Sequence, residues 1–214
     1  MKIYNEICKK LIDNENFKFS RWGDGEWGCM MGWAGENRDG NHYSQDLRDA
    51  LINVLDSEPD YIMGLQYGVI YNDQLREYVF NKLFRLNINW IYGDILHVAS
   101  EFGMLKQFMD SLKNRNVVII GAEYYNQLAD KIGHHIIIPG SNSFEFNDSI
   151  INSASVFKQD TVFLVAAAMD SNVIIDRLPD NITAIDIGSV LDPYLNYPRA
   201  RYQYKMDVSL KDLI

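Results

Sequence analysis

With 214 residues, 47% of them hydrophobic and 23% charged, the chain has the composition of a globular domain with one sizeable core. Its formal net charge of −9 argues against a nucleic-acid-binding surface, which would need a basic stripe. The two cysteines form no metal-binding or disulfide pattern, and no apolar run approaches the roughly 20 residues of a membrane helix. We therefore expect a cytoplasmic protein without a membrane span, folded as a single α/β domain over residues 1–214.

The first part of the chain predicts a helix, a strand and a second helix. Apolar residues at helical spacing predict a helix over residues 2–13, and alternation from Phe17 to Trp22 predicts the first strand. Residues 34–43 are rich in Gly, Asn and Asp, which indicates an exposed loop beside the site. Ser44 is a suitable N-cap for a helix that continues to about Asp56.

The rest of the chain alternates apolar runs with helical stripes. Strands are predicted over residues 61–65, 88–92, 117–121, 136–140, 161–165 and 182–188. Helices are predicted over residues 73–87, 94–113, 123–131, 144–157 and from about 170 to 178. Such alternation is typical of parallel strands that are buried on both faces. We predict a Rossmann-like, doubly wound and mostly parallel sheet with helices on both faces.

Glycine recurs where the predicted strands end. Ligands of open α/β sheets bind at the carboxyl ends of the strands, where glycine lets a nucleotide approach backbone amides. A single Gly after a strand is also ordinary turn chemistry, so the repetition carries the prediction. The candidate ligand-binding residues at these ends are Gly23, Gly25, Gly121, Glu123, Asn142, Gly188 and Ser189.

Two carboxylates follow the first predicted strand. In an extended backbone Asp24 and Glu26 would leave the chain on the same side, where their hard oxygen atoms suit Mg²⁺ or Mn²⁺. Arg21 precedes them with a fork geometry suited to a carboxylate or a phosphate. The alternative is a plain turn, since Asp-Gly is a common turn dipeptide and Arg21 can simply pair with Glu26.

The run Phe19-Ser20-Arg21-Trp22-Gly23-Asp24-Gly25-Glu26 resembles the signature of the GT-D-type glycosyltransferases. That family carries Arg, an aromatic residue and Gly-Asp-Gly-Glu at the end of its first strand, and its Asp-x-Glu motif is taken to serve the divalent metal and the sugar nucleotide. Looser resemblances lie in residues 118–123, in Ile138-Pro139 with Asn142, and in residues 186–189 with 192–194. Ala167-Ala168-Met169-Asp170 departs from the Gly-Pro-Thr-like turn of some members.

The resemblance implies a metal-dependent glycosyltransferase. It would transfer a sugar from a nucleoside-diphosphate sugar to a glycan, glycoprotein or lipid-linked acceptor. Asp24 and Glu26 would hold Mn²⁺ or Mg²⁺ at the catalytic centre, and Arg21 would share the charge of the diphosphate. Asp170 and Asp192 are candidate general bases by their strand-end positions alone. The rival function is a non-catalytic nucleotide- or sugar-binding α/β module.

Two further clusters leave alternatives open. Arg199 and Arg201 form a small basic cluster that either contacts the diphosphate or belongs to a solvated segment. His97 and Glu101 would share a helical face, as a metal or acid/base pair or, more simply, through a hydrogen bond. Motifs of the catalytic-triad hydrolases, P-loop proteins and ordinary dinucleotide-binding proteins do not occur in the sequence.

Overall fold

A computed structural model describes residues 1–88, 90–195, 197 and 208–214. Its strands are β1 (Lys18–Trp22), β2 (Ile62–Leu65), β3 (Trp90–Tyr92), β4 (Asn116–Gly121), β5 (Gly133–Ile137), β6 (Thr161–Ala166) and β7 (Thr183–Asp186). Its α-helices are α1 (Lys2–Ile12), α2 (Asp24–Met31), α3 (Gln45–Asp56), α4 (Tyr67–Tyr71), α5 (Asp73–Leu83), α6 (Ile95–Glu101), α7 (Leu105–Ser111), α8 (Asn126–Ile132), α9 (Asn147–Ala154) and α10 (Asp170–Arg177). Short 3₁₀ turns lie at Glu123–Tyr125, Ser143–Phe146, Asp192–Leu195 and Leu210–Asp212.

The strands of the described residues form one seven-stranded sheet in the order β3-β2-β1-β7-β6-β4-β5. Every pairing in it is parallel, so the predicted doubly wound α/β architecture is confirmed. The chain leaves β1 towards β2 and β3 on one side, while β7 lies on its other side. The carboxyl ends of β1 and β7 therefore border a switch point in strand order, where open α/β sheets bind ligands.

Apolar side chains cover both faces of the sheet. Val117 and Ile119 of β4 point into one core, which α1, α6, α7 and α8 cover. Val118 and Ile120 point to the opposite face, where β4 and β6 pack against α9 and α10. A further cluster on the side of α2, α3 and α5 encloses Trp22 and Trp27. This two-sided burial explains why the central strands are continuous apolar runs.

Several element boundaries differ from the predictions. Strand β5 covers Gly133–Ile137 rather than 136–140, and it is exposed or half-buried because it pairs with β4 alone at the edge of the sheet. The helix predicted over residues 94–113 is two helices, α6 and α7, separated at Gly103, whose φ of +69° suits glycine. The segment between the predicted strand at 61–65 and the predicted helix at 73–87 contains α4, which was not predicted.

The N-terminal elements agree with the predictions. Helix α3 begins after Ser44, whose hydroxyl accepts a hydrogen bond from the Leu47 N–H at 3.2 Å. The segment between α2 and α3 is a loop that borders the site described below. Among the helices of the described residues, none has the length and apolar character that crossing a membrane requires.

Candidate functional site

The Gly23-Asp24-Gly25-Glu26 stretch forms the start of a helix. Gly23 is the N-cap of α2, Asp24 is the first helical residue, and Glu26 is the third. The Glu26 carboxylate turns back and accepts a hydrogen bond from the Gly23 N–H at 2.8 Å. Successive residues of an α-helix are rotated by about 100° around its axis. Side chains two residues apart therefore point in nearly opposite directions. The expectation that both carboxylates leave an extended backbone on the same side is therefore wrong.

The two carboxylates also differ in their exposure. Asp24 is exposed, whereas Glu26 is only 8% exposed. Burial raises the pKa of Glu26 from 4.5 to about 7, because a carboxylate loses its hydration there. Asp24 is therefore open to a divalent ion from solvent, whereas Glu26 is turned towards the Gly23 N–H and would release a proton on binding a metal.

Arg21 lies on the floor of the site with its guanidinium group already engaged. Its Nε donates a hydrogen bond to the Gly93 carbonyl at 3.0 Å, and its Nη2 donates to Asp94 Oδ1 at 3.2 Å. Its Nη1 lies 3.8 Å from Asp186 Oδ1. The side chain is 4% exposed, so its first role is to hold two protein carboxylates together.

Asp186, at the end of β7, fixes the geometry around Arg21. Its Oδ2 accepts a hydrogen bond from the Arg21 backbone N–H at 3.2 Å, and its Oδ1 accepts one from the Gly188 N–H at 2.8 Å. A Cβ on Gly188 would overlap with the Arg21 guanidinium, and the φ of +48° also favours glycine. Gly188 is therefore required for the close approach of β1 and the chain after β7.

Two small pockets adjoin at the carboxyl edge of the sheet. The first, of about 100 Å³, is called the Asp24 pocket, and its charged lining residues are Arg21, Asp24, Glu26, Arg38, Asp39 and Asp186. The second, of about 90 Å³, is called the Tyr124 pocket, and it is bordered by the chain after β4, β5, β6 and β7. They share a wall made of Asp39, Ala168, Gly188 and Ser189. Ligands in the two pockets would therefore lie side by side.

A tyrosine cluster holds one side of the Tyr124 pocket. The ring of Tyr124 stacks on that of Tyr197, with centroids 3.8 Å apart and planes tilted by 12°. The hydroxyls of Tyr124 and Tyr125 donate to Asp192 Oδ1 at 3.0 and 3.2 Å. Burial, followed by the charge of Asp192, raises the pKa of Tyr124 above its ordinary value. Asp192, predicted as a candidate base, thus lies in this pocket with its carboxylate held by two hydroxyls.

Three solved structures share this fold, each aligned over 96% of the chain. One is described as "A New Glycosyltransferase (DUF1792) from Streptococcus sanguinis"; it superposes with a TM-score of 0.71 at 14% identity, over 84% of its own chain. A second, described as a highly conserved domain of unknown function with a distinct glycosyltransferase fold, gives 0.68 at 18% identity over 81% of its chain. A selenomethionine-substituted DUF1792 domain gives 0.66 at 17% identity, also over 81%.

The chain has the fold of these DUF1792 domains. The sequence matches no family model and no curated protein. At identities of 14 to 18% the likeness concerns the fold, and the chemistry has to be argued from the residues themselves.

The DUF1792-like fold separates Asp170 from the other candidate residues. Asp170 is 3% exposed and lines a cavity of about 40 Å³ between the loop at residues 41–44 and the turn at 142–145. Its Oδ1 accepts a hydrogen bond from Asn147 Nδ2 at 3.0 Å, and burial raises its pKa to about 7. Asp170 lines neither the Asp24 pocket nor the Tyr124 pocket. The expectation of a general base at this strand end has no geometric support.

The predicted glycine and polar positions lie in different surroundings. Gly25, Gly188 and Ser189 line the Asp24 pocket, as expected for ligand-binding positions. Packing accounts for two others, since a Cβ would meet the Gln66 side chain at Gly23 and the Tyr125 ring at Gly121. Glu123, which starts a 3₁₀ turn, lines neither pocket. Arg199 and Arg201 lie outside the described residues.

His97 and Glu101 lie in different environments. His97 is 3% exposed and its Nε2 lies 3.4 Å from Ser189 Oγ, behind the shared wall of the pockets. Glu101 is exposed at the end of α6. Within the described residues, no group of three or more His, Cys, Asp or Glu side chains is placed to hold a metal ion.

The loop between α2 and α3 borders both pockets. The sequence predicted an exposed loop beside the site but not which of its residues line the pockets. The loop supplies Arg38 and Asp39 to the Asp24 pocket. Two reciprocal hydrogen bonds fix it: the Asn142 N–H donates to Asn41 Oδ1, and the His42 N–H donates to Asn142 Oδ1, both at 2.8 Å. Asn142, predicted to bind a ligand, thus anchors this loop.

Sequence reasoning missed the carboxylates around Arg21. Asp186 interrupts an otherwise apolar strand, and a charge inside such a run is a signal that it has a buried partner. Asp94 follows Gly93 at the end of β3, in the same strand-end position as the candidates that were identified. Asp39 had no signal beyond its place in a polar loop.

Proposed function

We propose that the protein is a glycosyltransferase that binds a nucleoside-diphosphate sugar together with Mn²⁺ or Mg²⁺. The observation that carries the proposal is the pair of adjoining polar pockets at the carboxyl edge of the sheet, with the exposed Asp24 in one of them. The likeness of the fold to structures described as glycosyltransferases supports the same reaction class.

The charge of the Asp24 pocket supports metal dependence. Four acidic side chains line it, of which Glu26 has a raised pKa, and its two cationic side chains are Arg21 and Arg38. Arg21 is already compensated by Asp94 and Asp186. A diphosphate entering this pocket would meet a surplus of negative charge and would need a cation brought with it. Mg²⁺ commonly binds one or two carboxylates together with substrate phosphates, which a single exposed Asp24 satisfies.

In this proposal the diphosphate lies in the Asp24 pocket and the nucleoside in the Tyr124 pocket. Gly188 and Ser189 form part of the shared wall, so backbone and hydroxyl groups can contact the bridge between the two parts of the donor. The metal ion, when bound to Asp24, would neutralise the charge of the leaving diphosphate. Arg38 reaches the same pocket from the loop and can bind phosphate oxygens.

Asp39 is the carboxylate best placed to accept a proton from the acceptor hydroxyl. It borders both pockets, whereas Asp170 lines neither and Asp192 lines the Tyr124 pocket alone. A general base must come within hydrogen-bond reach of the proton that it removes. In this proposal Asp39 replaces Asp170 as the general base.

A panel of nucleoside-diphosphate sugars tests the proposal. Each donor is added with and without Mn²⁺, the melting temperature is recorded, and release of the nucleoside diphosphate is measured. We expect at least one donor to raise the melting temperature only when Mn²⁺ is present, and to release its nucleoside diphosphate slowly even without an acceptor. Stabilisation that does not depend on the metal would contradict the metal role. Absence of nucleotide release from every donor would support a binding module instead.

A further inference from the structure

Helix α4, which follows β2, carries two exposed tyrosine rings. Tyr67 is 53% exposed and Tyr71 is 64% exposed, and their ring centroids lie 4.2 Å apart with a tilt of 32°. Tyr92, at the end of the neighbouring strand β3, is 43% exposed. We call Tyr67, Tyr71 and Tyr92 the tyrosine platform. Three large rings exposed together at one edge of a sheet do not contribute to the core, so a ligand is the simpler explanation for them.

The platform is fixed to the candidate site through one carboxylate. The Tyr67 N–H donates a hydrogen bond to Asp94 Oδ2 at 3.0 Å, and Asp94 Oδ1 accepts one from Arg21 at 3.2 Å. Gln66, which immediately precedes Tyr67, lines the Asp24 pocket. At the other end of α4, the Asn72 side chain caps α5 by accepting from the Gln74 N–H at 3.0 Å. The platform therefore stands at a fixed position beside the Asp24 pocket.

The chemistry of the platform fits a sugar ring. A pyranose presents a face of C–H groups and a rim of hydroxyls, and a tyrosine presents the negative face of its ring and one hydroxyl. Tyrosine also binds at a low entropic cost, because only two torsions have to be fixed. An aromatic side chain covers about 150–250 Å², so three half-exposed rings present roughly 300 Å², well below the roughly 1,000 Å² that a stable protein interface requires. The backbone of Tyr67 contacts the carboxylate of Asp94, and a negative charge beside the platform disfavours an anionic ligand.

We propose that the tyrosine platform is the acceptor subsite and that it binds a neutral pyranose ring. This inference rests on the proposed glycosyltransferase function and adds the class of acceptor, namely a sugar rather than a bare amino-acid side chain. In the transfer, the bond between the anomeric carbon of the donor and its diphosphate oxygen breaks, and the diphosphate leaves with the electron pair. The new bond forms to a hydroxyl oxygen of the platform-bound sugar, whose proton passes to a carboxylate such as Asp39.

Saturation-transfer NMR with simple glycosides tests the proposal without requiring activity. The probes are the methyl pyranosides of glucose, galactose, mannose and N-acetylglucosamine, each added to the unaltered protein. We expect at least one of them to receive saturation at the C–H groups of one ring face. In the double variant Tyr67→Ala/Tyr71→Ala this binding should weaken by about tenfold, because the rings that stack on the sugar are gone.

Two matched variants separate stacking from a general effect on the surface. The double variant Tyr67→Phe/Tyr71→Phe keeps both rings and should keep most of the binding. Phe84→Ala removes another exposed ring, 88% exposed at the far end of α5, and should bind like the unaltered protein. Melting temperatures confirm that each variant is folded.

Three outcomes would overturn the proposal. The first is that the unaltered protein transfers saturation to none of the pyranosides. The second is that the Ala double variant transfers as much saturation as the unaltered protein. The third is that the Phe double variant loses as much binding as the Ala double variant. Nucleotide release by the unaltered protein tests the glycosyltransferase proposal in a separate measurement. A failure of that proposal is therefore distinguishable from a failure of the platform.

Discussion

Strand β1 carries a buried cation at each end, and the two ends differ in what surrounds that cation. Lys18 and Arg21 are each 4% exposed. The Lys18 ammonium donates to the Leu178 carbonyl at 2.6 Å and to Asp180 Oδ1 at 2.8 Å, and the Asp180 side chain is 99% exposed. Arg21 contacts Asp94 and Asp186, whose side chains are 20% and 5% exposed. At the carboxyl end of β1 the cation therefore faces a carboxylate that is buried with it, whereas the carboxylate that Lys18 contacts is in water.

Cavity volume alone would favour the amino end of β1. A cavity of about 760 Å³ opens beside Lys18, whereas the pockets beside Arg21 measure about 90 and 100 Å³. The carboxyl end, however, combines the switch point in strand order, the close backbone approach at Gly188 and a surplus of carboxylates. The difference teaches that chemistry at the strand ends, rather than open volume, supports the proposed site at this edge of the sheet.

Replacing Arg21 should give the largest effect on stability. Arg21→Ala leaves the buried Asp186 without its cation, and breaking such a pair costs about 3–5 kcal/mol of unfolding free energy. Arg21→Lys keeps the positive charge but loses the forked guanidinium group. Its unfolding free energy should therefore lie between those of the unaltered protein and Arg21→Ala. Urea denaturation measures both. A loss below about 1 kcal/mol in Arg21→Ala, the range typical of exposed pairs, would show that the network is solvated and that the two ends of β1 are equivalent.

The pH dependence of stability tests the state of Glu26. Its pKa is about 7 in the folded protein against 4.5 ordinarily, so the folded state holds the proton more tightly. The resulting stability is complete below pH 4.5 and is lost as the pH rises towards 7, by about 1.4 kcal/mol per pH unit. Glu26→Gln has no carboxyl proton to lose. As the pH rises, its unfolding free energy relative to that of the unaltered protein should therefore increase by up to roughly 3 kcal/mol.

Denaturation of both proteins at pH 5 and pH 8 measures that difference. The similar titration of Asp170 cancels, because Asp170 is present in both proteins. Glu77→Gln, at an exposed position of α5, is the control for the loss of a carboxylate. A pH-independent difference for Glu26→Gln would mean that Glu26 is ionised in the folded state and would bind a metal without releasing a proton.

Removing the charge of Asp24 should affect activity and leave the fold intact. Asp24→Asn should lower Mn²⁺-dependent nucleotide release by roughly 100-fold, which corresponds to about 2.7 kcal/mol. Because Asp24 is exposed, the unfolding free energy should change by less than about 0.5 kcal/mol. Asp73→Asn is a matched control, since Asp73 is also exposed and is also the first residue of its helix. Full metal-dependent activity in Asp24→Asn would remove the basis of the proposed metal site.

Replacing Lys18 should give the smallest effect. Lys18→Met removes a cation whose acceptors are backbone carbonyls and an exposed carboxylate, so the expected loss is about 1–2 kcal/mol. Nucleotide release per folded molecule should be unchanged, since Lys18 lies at the opposite edge of the sheet. A loss as large as that of Arg21→Ala would contradict the contrast between the two ends.

The architecture of the sheet could be predicted from the sequence, but its edge could not. The apolar runs in β4, β6 and β7 identify strands buried on both faces, whatever their neighbours are. Strand β5 begins with Gly-His-His, and its strand state comes from pairing with β4 rather than from its own pattern. Helix α4 has only five residues, too few to show helical periodicity.

In the site, residue identities could be predicted and their geometry could not. The Asp24 and Glu26 positions are evident from the sequence, but the extended-strand assumption ignored Glu at the third helical position, which is a capping signal. The carboxylates around Arg21 come from β7 and from the end of β3, and their convergence depends on strand order. Strand order follows from tertiary packing, so no local pattern specified Asp94 and Asp186 as partners. The roles of Arg199 and Arg201 stay predictions.

The position of β7 between β1 and β6 has a consequence for the folding of the nascent chain. Arg21 and Asp186 are 165 residues apart in sequence, yet their strands are adjacent. At the usual 5–20 residues per second, ribosomal synthesis of the intervening chain takes roughly 10–30 s. During that time the edge of β1 that pairs with β7 is open, and Arg21 has its partners at Gly93 and Asp94 but not yet at Asp186. Of the described strands, the last to leave the ribosome is the one that joins the two halves of the sheet and completes the pockets.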